Sequence, residues 1–233
     1  MTITIQRPDE RFITDIGWLD SKHSFNFGDH YSPDHRGHGL LLVNNDDTVA
    51  PASGFGTHGH RDMEIVTWVL SGTLEHRDSE GNHGVLYPGL AQRMSAGRGI
   101  RHSEMNPSPD TPVHFVQMWV LPDTAGVQPG YEQQDINDQL AGGDLVPIAS
   151  GKGHPGTVSI HQRDAVLYGA RIRPGGTVSI PDDGHVHVFV ALGSAALDGV
   201  ELAQGAAARL TNAGSPTLTA GPDGAEVLVW ATA

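Results

Sequence analysis

Four residues of the 233-residue chain combine the types and spacing that bind a cation: His58 and His60, and about 40 residues later His102 and Glu104. On an extended backbone, residues i and i+2 project from the same face, so each pair presents two donors in one direction. If the strands that carry the pairs lie opposite one another, three imidazoles and one carboxylate converge. That donor set suits a first-row divalent metal. Four protein donors in an octahedral shell leave about two positions for water or a reactant. Histidines that merely decorate strand ends have no reason to share this parity.

The elements around them must therefore be strands. Residues 63–70 form an apolar run ended by Ser71-Gly72, residues 73–78 alternate as its partner, and residues 113–121 are apolar on both faces. The glycine-rich segment 96–101 delivers His102. Upstream, Ile3 and Ile5 alternate with polar neighbours in a terminal strand, and Phe25 and Phe27 are expected to share one face. Residues 39–43 read as a buried strand closed by a turn at Asn44-Asn45-Asp46-Asp47. His23, His30, His35 and His38 fall in a turn-rich stretch and are expected on surface loops. His76 and His83 are expected to face solvent.

The second half repeats the first weakly. Residues 68–72 find an echo in 189–193, and residues 86–95 in 202–211, with the same strand–glycine turn–strand order. This pattern predicts an all-β chain of two tandem barrels, residues 1–130 and 131–233, joined by a linker at 122–130. The second copy keeps only His185 and His187. Ser215-Pro216-Thr217-Leu218 stands where its other two ligands belong, so those histidines are expected to be structural or surface residues.

Composition removes several functions. A net charge of −13 argues against a phosphate-binding surface and against adhesion to anionic membrane, so neither nucleic acid nor membrane is an expected partner. The absence of cysteine excludes disulfides, a thiolate nucleophile and a Cys-based zinc site. No signal-peptide pattern or long apolar run is present, and a cytoplasmic location is the expectation. Thirty glycines and fifteen prolines without a period fit many short strands and turns.

Two motifs then carry a family resemblance. Gly54, His58, His60, Glu64 and Gly72 are spaced as in the first cupin motif, and Gly89, Ser95, Ala96, Gly97, His102 and Asn106 as in the second. Ser95 in place of the usual proline, and two extra residues before the histidine, depart from the general form and resemble the pirin family, as do residues 16–31 at the start of its bacterial branch. The resemblance covers nearly the whole chain and implies a bicupin, two jelly-roll-like barrels, with metal ligands His58, His60, His102 and Glu104. Glu64 matches the carboxylate ligand of general cupins; the pirin pattern places it behind the ligands instead.

What the resemblance implies for function is an Fe(II) protein with quercetin 2,3-dioxygenase activity, cleaving a flavonol with O2 and releasing carbon monoxide. Mn, Co, Ni, Cu and Zn remain open, because affinity order alone does not select iron. Glu104, the one carboxylate of the set, is the expected acceptor of the substrate hydroxyl proton. The alternative is a non-enzymatic, metal-dependent sensor or interaction module with a protein partner. Glu64, Asn106 and Gln117 are candidates to orient the ligands. Phe55, Met63, Met105, Phe115 and Trp119 are candidates to wall an apolar cavity.

Overall fold

The computed structural model describes all 233 residues. The first half contains β1 (Thr2–Gln6), β2 (Phe12–Asp15), β3 (Leu19–His23), β4 (Leu41–Val49), β5 (Gly54–His60), β6 (Glu64–Ser71), β7 (Leu74–Asp78), β8 (His83–Leu86), β9 (Leu90–Ser95), β10 (Ile100–Met105), β11 (Val113–Val120) and β12 (Gly130–Asp135). A seven-stranded sheet runs in the order β12-β9-β6-β11-β4-β3-β2, and a four-stranded sheet in the order β5-β10-β7-β8. Leu19, Val49, Val69, Leu74, Leu86, Val113 and Phe115 fill the space between them. The chain is therefore all-β, as its turn-rich composition requires, and no helix is long and apolar enough to cross a membrane.

The outer face of the large sheet is apolar too. Val66, Trp68, Leu70, Val116, Met118 and Val120 pack against the second half in a shared cluster of 22 buried residues. This explains why β6 and β11 read as apolar on both faces: one side fills the barrel and the other fills the seam. Trp68 carries its polar edge across that seam, donating from Nε1 to Glu226 Oε1 at 2.7 Å.

The second half is one nine-stranded sheet centred on the long strands His185–Leu197 and Thr217–Thr232. Register shifts within that pair accompany its wrapping of a separate 19-residue core. β1 belongs to this sheet, paired with Ala207–Thr211, whereas β12 pairs with β9 of the first. The echo between the halves is a repeated strand pairing. Glu64 lies opposite Ser95 in β6–β9, and His185 lies opposite Thr211 in the corresponding pair.

Two local expectations fail. Asn44 to Asp47 do not turn; they are the middle of β4, paired with both β3 and β11. Turn-forming residues are tolerated there because their side chains find partners: Asn45 on His23, Asp46 on Arg11 and His114, Asp47 on Ser21. Phe25 and Phe27 do not share a face, since the chain leaves the strand after His23. Phe25 packs into the seam beneath the Arg209 guanidinium, while Phe27 stacks on His23 and meets Trp119.

Candidate metal centre

β5 and β10 are neighbouring antiparallel strands, and their register sets His102 directly opposite His58. A bulge follows. Two residues on β10 advance against three on β5, so Glu104 comes to lie opposite Phe55. Gly54 makes this approach possible: a Cβ there would stand 2.3 Å from the Glu104 carbonyl oxygen. His58, His60 and His102 thus converge, with ring centroids 4.5 to 4.9 Å apart and ligand nitrogens within 4.8 Å of one another. Glu104 stands on the same strand as His102 and lines the cavity that His58 and His60 also line. Its carboxylate groups within that distance with His76 and His102 rather than with His58 and His60.

The nitrogens themselves show what the cluster fits. His58 Nδ1 lies 2.8 Å from the Gly56 carbonyl oxygen, which fixes the proton on Nδ1 and leaves Nε2 free. His60 Nε2 and His102 Nε2 are buried and have no hydrogen-bond partner. Leaving such an atom unsatisfied costs about 1–3 kcal/mol. Burial, reinforced by the neighbouring imidazoles, pushes His60 down to about 4 and His102 down to about 3, so both are neutral donors near pH 7. Neutral imidazoles with free, convergent lone pairs are the form that ligates a divalent cation.

Contacts behind His102 hold its ring. His102 Nδ1 faces His76 Nδ1 at 3.4 Å, and His76 Nε2 faces Asp78 Oδ2 at 3.2 Å. Burial pushes Asp78 up, but hydrogen bonds from Asn82 and His76 outweigh it and keep the carboxyl below its usual range. His76 also stacks on Tyr131, at 4.7 Å. It is 1 % exposed, so the expectation of a solvent-facing residue fails: β7 is covered by β12 as well as by its neighbours in the sheet. With these nitrogens engaged, the group of His76, His102 and Glu104 lacks the free donors that the three-histidine group has.

Glu104 is 3 % exposed, and burial raises its carboxyl, partly offset by Gln117. Gln117 Nε2 lies 2.9 Å from each carboxylate oxygen, while Gln117 Oε1 accepts from Trp119 Nε1 at 3.0 Å. Of the three residues expected to orient the ligands, Gln117 is the one that touches one of the four candidates. Glu64 points into the seam, where it accepts from Ser95 Oγ at 2.8 Å and from the His161 backbone at 3.1 Å. Asn106 instead ties the loop that follows β10, donating to Val49, Ala50 and Thr111 carbonyls.

The cluster opens into a cavity of about 710 Å³. Phe55 and Trp119 line it as expected; Met63, Met105 and Phe115 do not. Met63 packs with Ile65 and Met94, and Phe115 lies in the barrel core. The walls that sequence reasoning missed are Trp18 and Phe27, and the polar face of Ser21, His23, Asn45 and Asp47. His23 is 2 % exposed and not on a surface loop. The i, i+2 alternation of Leu19-Ser21-His23 and Asn45-Asp47 is the available signal, hidden when residues 44–47 are read as a turn. Trp18 meets Phe55 edge to face at 5.2 Å, and Phe27 meets Trp119 in the same way at 5.5 Å. No comparable cluster forms in the second half: His187 is buried beside Phe25, and His185 Nδ1 lies 3.1 Å from the Ala233 carbonyl.

Comparison with known proteins gives the family. The pirin family model matches residues 6–120, and the model of the quercetinase C-terminal cupin domain matches residues 147–230. A Mycobacterium tuberculosis protein named provisionally as a quercetin 2,3-dioxygenase is 58% identical over 231 residues, 98% of this chain and 94% of its own. The Escherichia coli quercetin 2,3-dioxygenase is 45% identical over 166 residues, 71% of this chain and 70% of its own. The crystal structure of the bacterial pirin YhhW from Escherichia coli in complex with nickel(II) superposes with a TM-score of 0.90 at 34% identity, covering 98% of each chain.

Proposed function

Because this chain belongs to the pirin family of bicupins, we propose that it is a metal-dependent dioxygenase that cleaves a flavonol such as quercetin and releases carbon monoxide. The observation that carries this reading is the three-histidine cluster, with its buried unsatisfied nitrogens, at the base of an aromatic-walled cavity. His58, His60 and His102 would hold the metal through Nε2, and the Glu104 carboxylate would complete the set. A divalent cation held there would supply Lewis acidity toward an enol hydroxyl and redox chemistry toward O2. Iron(II) is the metal proposed for this chemistry, and the nickel(II) in YhhW illustrates that the fold accepts others.

The remaining work falls to side chains. The edge-to-face pairs Trp18–Phe55 and Phe27–Trp119 suit a flat aromatic ligand, whose faces and edges they can meet at van der Waals distance. Gln117 keeps Glu104 aimed at the cavity. The depressed basicity of His60 and His102 prevents protonation from competing with the metal near neutral pH. Oxygen uptake and stoichiometric carbon monoxide release on adding quercetin to the iron-loaded protein test the proposal. No turnover with any of iron, manganese, cobalt, nickel or copper would replace it with the metal-dependent interaction module.

A further inference from the structure

Two buried carboxyls line the cavity, and the scheme above uses only one. Glu104 is engaged at both oxygens by Gln117 and is assigned to the metal. The other is Asp47, on the inward face of β4 and 4 % exposed. Its one side-chain hydrogen bond is to Oδ1, from Ser21 Oγ. Its neighbour Asp46 points out of the barrel, paired with the Arg11 guanidinium at 3.0 Å and hydrogen-bonded to His114 Nε2 at 2.5 Å. Asp47 has no such cation, and no lysine or arginine lines the cavity.

The other basic groups in the cavity are occupied. His23 holds Asn45 through Nδ1 and Thr14 through Nε2, at 2.8 and 2.9 Å. His30 Nε2 shares the same threonine hydroxyl at 3.1 Å. His58, His60 and His102 are assigned to the metal. Asp47 alone combines burial, a place in the wall of the cavity that His58 and His60 also line, and a carboxylate oxygen without a donor.

We propose that Asp47 is a catalytic residue that takes the proton of the substrate's enol hydroxyl, while Glu104 stays a ligand throughout. The inference rests on the enol-substrate reading and reassigns its base. The enol O–H bond breaks, its electron pair stays on the substrate oxygen, and the proton forms a new O–H bond at Asp47 Oδ2. Ser21 holds Oδ1 meanwhile. The product leaves as its carboxylate, and Asp47 gives the proton up to solvent, which restores the base for the next turnover. Independently of this geometry, burial, with the negative charges of Asp46 and Glu104, pushes the Asp47 carboxyl up to about 7. A group so placed accepts and releases a proton near neutral pH with little driving force lost in either direction.

Counting protons tests this directly. The probe is 3-hydroxyflavone, whose only ionisable group is the enol hydroxyl, added without O2 to zinc-loaded protein at about pH 8, where Asp47 is largely ionised. Calorimetry in two buffers of different ionisation enthalpy gives the net protons released. The wild type is expected to bind the ionised flavonol, seen by its red-shifted absorption, with almost no proton reaching the buffer. Asp47→Asn is expected to retain stoichiometric zinc and to release about one proton per flavonol bound. Its kcat/KM with O2 and iron is expected to fall by about 10²–10⁴-fold. Ser21→Ala, which leaves the carboxyl in place but unheld, gives a smaller loss and wild-type proton release. Equal proton release from wild type and Asp47→Asn overturns the role of Asp47 and leaves the flavonol reading intact. Failure of zinc-loaded wild type to bind the flavonol overturns both.

Discussion

His76 stands behind His102: their Nδ1 atoms are 3.4 Å apart, and the far nitrogen of His76 is 3.2 Å from Asp78. This line of hydrogen bonds runs from a carboxylate through one imidazole to the next and ends at the unsatisfied Nε2 that faces the cluster. It selects the tautomer in which His102 presents a lone pair inward. His76→Phe keeps the stacking on Tyr131 but removes the acceptor. Metal affinity is expected to drop about 10–100-fold, with a smaller drop for Asp78→Asn. Competition against a chromophoric chelator reads both, and unchanged affinity in His76→Phe would reject the line.

Direct removal of a donor should be more severe. His58→Ala, His102→Ala and Glu104→Ala are each expected to lose metal on dialysis while their β-rich circular dichroism persists, because the barrel core of Leu19, Val49, Val69 and Phe115 does not include them. Elemental analysis checks the set. Full metal retention by the double variant His58→Ala/Glu104→Ala would refute the assignment.

Acid acts on the same cluster. His60 and His102 protonate near 6.5 in the unfolded chain, but at about 4 and about 3 when folded. As pH falls below 6.5, the unfolded chain takes up protons that the native one cannot, so metal-free protein loses stability down to about pH 3. Above 6.5 these two groups contribute no pH dependence. Urea midpoints of metal-free protein between pH 7 and pH 4 measure the effect, and His60→Gln should flatten the slope.

Asp47 has the opposite sign. Its carboxyl titrates near 3.8 unfolded and at about 7 folded, so the native state holds a proton that the unfolded chain has already released. Stability is lost as pH rises through that window, and the cost is complete above it. Asp47→Asn, which can still accept from Ser21, is expected to exceed wild type in stability at about pH 8 by on the order of 2–4 kcal/mol, and to match it near pH 4. Thermal melts at both pH values check this. A stabilising substitution that destroys turnover is the expected mark of a carboxyl kept for chemistry.

Gly54 tests the strand approach. Its Cβ position is 2.3 Å from the Glu104 carbonyl oxygen and 2.6 Å from Met105 Cα, both backbone atoms that cannot swing aside. Gly54→Ala must push β5 and β10 apart at the point where Glu104 is placed. A loss of about 1–3 kcal/mol is expected in chemical denaturation, with metal affinity reduced alongside. Wild-type affinity in this variant would show that the spacing is not needed.

The chain by itself marked out the four side chains proposed as donors and the strands that carry them. Histidines at i and i+2 share a face on any strand, and apolar runs between glycine turns can only be strands with both sides covered. Pairing His58 against His102 needed no more than two neighbouring antiparallel strands. Tertiary structure alone decided the rest. The bulge that seats Glu104 opposite Phe55 is one extra residue, invisible in the alternation. Glu64 is spaced like a ligand but is claimed by Ser95 and His161, a partner that only the packing of the two halves supplies. His76 and Asp47 looked like solvent and turn residues because polar side chains are buried only where a distant partner satisfies them. Asp78 lies two residues along the same strand as His76, but the deciding partners, His102 for one and Ser21 for the other, stand 26 residues away on other strands, a distance that no local pattern encodes.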